Sequence, residues 1–254
     1  MSQAPVLYLG DTSLRTAAAY LGGVMAHAGI AFDYLASDLP ATPQRLAAPR
    51  QLVILSDYPA RNMPAEVQRL LVTQVEQGAG LLMIGGWESY GGLGGDWGPT
   101  AVGQILPVQI AERDDRVNCD QPTLVVCRRE HPITAGLPWG ERPPVIGGFN
   151  RVTPKAGGPE ATEVLLQAQR WTAQHQGEGF TFHPADTDAL LVVAPYGRGR
   201  TACLMTDVAP HWVGGWVDWG DQRVQAQAPG AEAIEVGNLY AQFFQQLLRW
   251  TGHL

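Results

Sequence analysis

Gly80-Leu-Leu-Met-Ile84, running directly into Gly85-Gly-Trp-Glu-Ser-Tyr-Gly-Gly-Leu-Gly-Gly-Asp-Trp-Gly98, is the stretch whose reading decides the fold. Five residues without a polar side chain, bounded by glycine, make a strand buried on both faces, as strands of parallel sheets are. The glycine-rich segment that follows is the turn where such a strand delivers its carboxyl end. Working outward, the same design recurs. Val6 to Leu9 is a buried strand ending at Gly10-Asp11, and Asp11, Thr12 or Ser13 is placed to cap a helix running to about Ala28. Phe32 to Leu35 and Leu52 to Leu55 are further strands, the latter followed by Asp57-Tyr58. Pro64 to Gln77 reads as a helix with proline in its first turn and glycine after its last. Strands alternating with helical patterns predict a mainly parallel sheet covered on both faces.

Beyond Gly98 the pattern shifts to shorter runs. Thr123 to Cys127, Val145 to Val152 and Glu163 to Ala168 read as strands. Ala189 to Ala194 and Arg200 to Thr206 are joined by Pro195-Tyr-Gly-Arg-Gly199 and read as a hairpin. A last helix is expected from about Ala231 to Trp250. No internal repeat or linker interrupts residues 1–254, so one domain with an antiparallel extension is expected.

Composition narrows the function. Lys and Arg number 17 against 24 Asp and Glu, a formal net charge of −7, which gives no basic footprint for nucleic acid or an anionic membrane surface. No apolar run is long enough to span a bilayer, and no leader pattern precedes Val6. Three cysteines, Cys119, Cys127 and Cys203, have no framework spacing and fit free thiols in the cytoplasm.

In an open α/β sheet ligands bind beyond the carboxyl ends of the strands. Asp11, Tyr58, Gly85, Gly86, Trp87, Glu88, Ser89, Asp207, His211 and Trp212 should meet there. The glycine loop has no phosphate-cradle motif and no lysine, and Glu88 and Asp96 would repel an anion. Tested as a nucleophile elbow, it puts Trp87 in the nucleophile slot, with Ser89 two residues late and better suited to fixing the loop. Asp207 and His211 can form an oriented general base, or can serve local turn geometry. A metal would need a third ligand from His183, Asp218 or Glu88, and neither a metal nor a cofactor is expected. Among the cysteines Cys127, beside Arg128 and Arg129, has the best setting for a reactive thiol, although a free cysteine is more often structural. Trp87 and Trp97 in the loop, with Trp212, Trp216 and Trp219 beyond the late strand, are candidates for a sugar platform, for a subunit interface in a homo-oligomer, or for the core.

Taken in order, Gly80 to Gly86, the loop on to Leu106-Pro-Val108, His131-Pro-Ile-Thr-Ala-Gly-Leu137, Tyr196-Gly-Arg-Gly-Arg200 and Thr206-Asp-Val-Ala-Pro-His-Trp212 resemble the class I glutamine amidotransferase-like family, in the branch similar to trehalose-utilisation (ThuA-like) proteins. The resemblance implies a flavodoxin-like three-layer α/β sandwich of that type. Members that hydrolyse glutamine carry a cysteine at the elbow and a His-x-Glu after a late strand. This chain has neither, so the expectation is a divergent protein binding a small polar molecule, carbohydrate being one candidate. The alternatives are a hydrolase or transferase using His211 and Asp207, and an assembly module.

Overall fold

The computed structural model describes residues 3–156 and 162–254. The chain forms strands β1 (Val6–Gly10), β2 (Phe32–Leu35), β3 (Leu52–Ser56), β4 (Gly80–Ile84), β5 (Val108–Gln109), β6 (Arg116–Asn118), β7 (Thr123–Cys127), β8 (Gly148–Asn150), β9 (Thr153–Pro154), β10 (Glu163–Gln176), β11 (Gly179–Tyr196), β12 (Gly199–Leu204), β13 (Arg223–Ala226) and β14 (Ile234–Gly237). Its helices are α1 (Ala18–His27), α2 (Ala65–Glu76), α3 (Ala101–Ile105), α4 (Pro210–Val213) and α5 (Asn238–Gly252). An eight-stranded sheet in the order β2-β1-β3-β4-β12-β11-β10-β7 organises the molecule. Its first five strands are parallel and repeat the 2-1-3-4-5 order of flavodoxin-like folds, with β12 as the fifth; β11, β10 and β7 extend it antiparallel.

Strands β1, β3 and β4 are buried at every residue, because helices cover both faces. α2 buries Val67, Leu71 and Val75 against the sheet, while Leu70, one position off that stripe, is exposed. α5 buries Tyr240, Phe243, Phe244, Leu247 and Leu248. Trp216 and Trp139 pack on Phe243 at ring separations of 4.7 and 5.7 Å, and Trp219 on Trp139 at 4.6 Å, so these tryptophans are core.

Four expectations change. α1 begins at Ala18 instead of directly after β1, because Asp11 and Thr12 hold φ of 51° and 54°, incompatible with a helical first turn. Ile234 to Gly237 is a strand paired with β13, its side chains alternating in burial, and the last helix starts only at Asn238. Within the expected strand from Val145 to Val152 only Gly148–Asn150 pairs, with β6, apart from a single bridge from Val145 to Leu124. The strand expected to stop at Ala168 and the one expected to begin at Ala189 are both far longer, and as β10 and β11 they pair with each other as far as Gln176 and Gly179.

Candidate functional site

Parallel strands deliver their carboxyl ends to one edge, and three of them end in aspartate. Asp11 follows β1, Asp57 follows β3 and Asp207 follows β12. β1 and β3 are the neighbours at which the strand order reverses, the usual ligand crevice of this fold. Asp57, like Asp11, holds a left-handed backbone, with φ of 47°. Short polar side chains tolerate that region best, and strained residues of this kind collect at functional sites.

The carboxylates form an electrostatic unit. Asp11 is buried and accepts a hydrogen bond from the Tyr8 hydroxyl. Burial first, then repulsion by Asp207 and Asp57, raises its pKa well above the carboxylate range. Asp57 is partly buried, and its Oδ1 accepts the Glu88 N–H. Burial pushes it up to about 6, with Asp207 and Glu88 adding to the rise and the Glu88 N–H and His211 opposing it. Asp207 is 1% exposed; its Oδ1 accepts the N–H groups of Val208 and Ala209, and its Oδ2 lies 2.8 Å from His211 Nε2. That contact raises the His211 pKa, while the ring stays half exposed at the mouth. A carboxylate holding one imidazole nitrogen and leaving the ring open to solvent is a general acid–base geometry.

The glycine loop is held by residues that the sequence reading did not single out. Asn150, buried on β8, accepts the Gly86 N–H at 2.9 Å and donates Nδ2 to the Gly86 carbonyl at 3.1 Å and to Asp115 Oδ1 at 2.8 Å. Asp115 in turn accepts the Gly91 and Gly92 N–H groups, each at 2.9 Å. Gly85 donates to the Leu204 carbonyl at 2.7 Å, tying the loop to β12. Gly86 runs so close to Asp57 that a Cβ on it would lie 2.5 Å from Asp57 Oδ1. A buried asparagine in a short run such as Gly148-Phe-Asn150 carries no pattern that marks it from sequence.

Trp87 is 48% exposed, and the Arg116 guanidinium stacks on it, 4.4 Å from the ring centroid. Arg116 is also bound through Nε and Nη2 to Asp114 at 2.8 and 2.7 Å. Glu88 pairs with Arg61. Three expected lining residues turn inward instead. The Tyr58 hydroxyl donates to the carbonyls of Leu39 and Asn62, at 2.8 and 2.9 Å, and it is the neighbouring Asp57 that enters the crevice. Trp212 is buried, its indole N–H donating to Asn118 Oδ1 at 2.9 Å. Ser89 is buried, donating to the Ile84 carbonyl at 2.6 Å and accepting the Asp57 N–H at 3.0 Å, so it fixes the loop and is no attacking group. The possible third metal ligands do not converge on Asp207 and His211: Glu88 is on Arg61, Asp218 on Arg223, and His183 on the distant part of β11. Among the described residues no group of three or more His, Cys, Asp or Glu is placed to hold a metal ion. Cys203 is buried in β12, which raises its thiol to about 12, and the Cys127 thiol donates to the Arg129 carbonyl at 3.2 Å. A cavity of about 810 Å³ opens on the other flank of the glycine loop, between Gly91, Gly98, Gln104, Gln109, Asp114 and Lys155; none of the three aspartates lines it. No described helix is long and apolar enough to cross a membrane.

No curated protein matches the chain. Among solved structures, the cytoplasmic protein STM3548 from Salmonella typhimurium superposes with a TM-score of 0.71 at 21% identity, over 97% of this chain and 98% of that one. The cytoplasmic protein STM1381 from Salmonella typhimurium LT2 gives 0.71 at 22% identity, again over 97% and 98%. A cold-adapted β-galactosidase from Rahnella sp. R3 gives 0.52 at 12% identity, over 98% of this chain but 31% of that one. At these identities the likenesses concern the fold. Residues 46–224, from before β3 to the start of β13, match the family described as putative glutamine amidotransferase (GATase1-like), and the chain belongs to that family.

Proposed function

We propose that the protein binds a small polar ligand rich in hydroxyl or amino groups, carbohydrate being the leading candidate, at the crevice of Asp11, Asp57, Gly86 and Asp207. The observation that carries this reading is the convergence of three aspartates from neighbouring strand ends on one edge, with His211 at the mouth. Carboxylates accept hydrogen bonds from hydroxyl and ammonium groups, and Trp87, half exposed next to Gly86 with Arg116 stacked on its ring, adds aromatic surface suited to a sugar ring. Glutamine hydrolysis by a thiolate is no part of the reading: Trp87 occupies the elbow position, and the three cysteines belong to other parts of the fold. The free thiols suit a cytoplasmic protein.

Calorimetric titration with a panel of neutral sugars, amino sugars and amino acids tests it. Binding to at least one class should be lost in Asp57→Asn and Asp207→Asn, and silence across the panel would end the proposal.

The contact of 2.8 Å between His211 and Asp207 favours a second reading, a hydrolase or transferase in which His211 moves the proton and Asp207 orients it. His211→Ala should then abolish turnover of a ligand found in the panel while leaving its affinity within a few fold. Equal loss of affinity and turnover would return His211 to a binding role.

A further inference from the structure

Beyond its pairing with β7, which ends at Arg170, β10 continues with β11 as a two-stranded arm from Trp171 to Asp186. Six residue pairs at about 3.3 Å per residue make it about 20 Å long. Gln176 and Gly179 pair across Gly177-Glu178, and Gly177, with φ of 62°, supplies the left-handed first position of a tight hairpin turn. Residues paired across an antiparallel ribbon share a face. The register therefore puts Trp171 with Pro184, Ala173 with Phe182 and His175 with Phe180 on one face, where the His175 and Phe180 rings meet at 5.2 Å. Thr172 with His183, Gln174 with Thr181 and Gln176 with Gly179 make up the other. One face is apolar and the other polar, yet Phe180 and Phe182 are 64% and 53% exposed.

Such a ribbon is marginal in water unless its apolar face is covered, and its free edges invite another chain. We propose that this face is the contact through which two copies of the chain associate, arm against arm about a two-fold axis. Charge identifies the occupant. The chain carries a net −7, and a homotypic contact must avoid setting carboxylates against carboxylates. The apolar face contains no Asp, Glu, Lys or Arg; Glu178 is at the tip turn, and Asp186, at the base, is held by Arg170. A neutral face offers a charged partner nothing to complement, but it is complementary to itself, as an isologous contact requires.

Size sets the strength. Aromatic side chains bury about 150 to 250 Å² each, so the arm offers several hundred Å² per copy, short of the roughly 800 Å² of a standard stable interface. The association is accordingly a concentration-dependent monomer–dimer equilibrium.

Sedimentation velocity of the full chain, from low to high micromolar concentration, tests this. The wild type should pass from monomer to dimer. Phe180→Lys with Phe182→Lys should weaken association at least tenfold while far-UV circular dichroism and melting stay unchanged, and Gln174→Lys with Gln176→Lys, on the polar face, should still dimerise. A wild type monomeric throughout, a Phe180/Phe182 variant dimerising as the wild type does, or equal loss in both variants would overturn the proposal. So would a monomeric wild type that floats with phosphatidylcholine vesicles, which would transfer the face to a lipid surface.

Discussion

The crevice edge and the β10–β11 arm are built on opposite principles within one sheet. At the edge, the buried polar groups that hold the glycine loop are answered: Asn150 meets both backbone groups of Gly86 and the Asp115 carboxylate, and Asp115 meets two further N–H groups. In the arm, apolar groups are exposed and unanswered. A satisfied buried network rigidifies and is costly to break, whereas an exposed ribbon contributes little to the monomer and keeps its surface for association. The edge is thus rigid where a ligand is proposed to bind, and the arm is loosely held where a second copy is proposed to dock.

Breaking the network should have the largest effect. Asn150→Leu leaves the Gly86 N–H and the Asp115 carboxylate without their partner and should destabilise the fold by roughly 3 kcal/mol or more in urea denaturation. Replacing residues 172–183 by a short glycine-containing turn should, at concentrations where the chain is monomeric, change stability by less than about 1 kcal/mol. If arm and network cost the same, the contrast is wrong.

Asp57 sharpens the comparison from the other side. Its folded pKa of about 6 lies above the unfolded value of about 3.9, so the native state holds the extra proton between them and stability falls as pH rises through that window. Asp57→Asn should therefore raise stability at pH 7 by about 1 to 3 kcal/mol and flatten the dependence between about pH 4 and 6. It should also cost the ligand its carboxylate, a trade-off expected where charge is buried for function. His211 has its pKa raised by Asp207, so its contribution is complete below about pH 6.5 and is lost as pH climbs through the higher folded value. His211→Gln should remove that alkaline decline, read by thermal melts across the range. The exposed Arg61–Glu88 pair gives the smallest effect: Arg61→Ala should shift stability by less than about 1 kcal/mol.

Much of the parallel half was legible because its signals are local. Gly80 to Ile84 and Val6 to Leu9 are strands by composition, and Pro64 and Gly78 bracket a helix by their backbone limits. The placement of Asp11, Asp207 and His211 at one edge followed from the strand ends, and the structure brings Asp207 and His211 into contact. Reading failed where neighbours decide. Sequence reading picks Tyr58 and passes over its neighbour Asp57 for the crevice, but a one-residue alternation sends the Tyr58 ring into the core. Sequence leaves the tryptophans open between a sugar platform, a subunit interface and the core, because amphipathic rings suit all three; packing decides that Trp97, Trp212, Trp216 and Trp219 fill the interior and that Trp87 alone of these stays exposed. The arm did carry a signal, the period-two pattern Trp171, Ala173, His175 and Phe180, Phe182, Pro184 around Gly177-Glu178-Gly179, obscured by its polar intervening residues.

By itself the sequence determined a mainly parallel α/β sheet, the family resemblance and the edge where polar side chains gather, because apolar runs, turn residues and ordered motifs are properties of neighbouring positions. Only the tertiary structure decided that Asp57 replaces Tyr58, that Asn150 holds a loop 64 residues away, and that the apolar residues of β10 and β11 share one face. Those outcomes depend on register and on which distant backbone groups lose water together, and neither is written in the order of neighbouring residues.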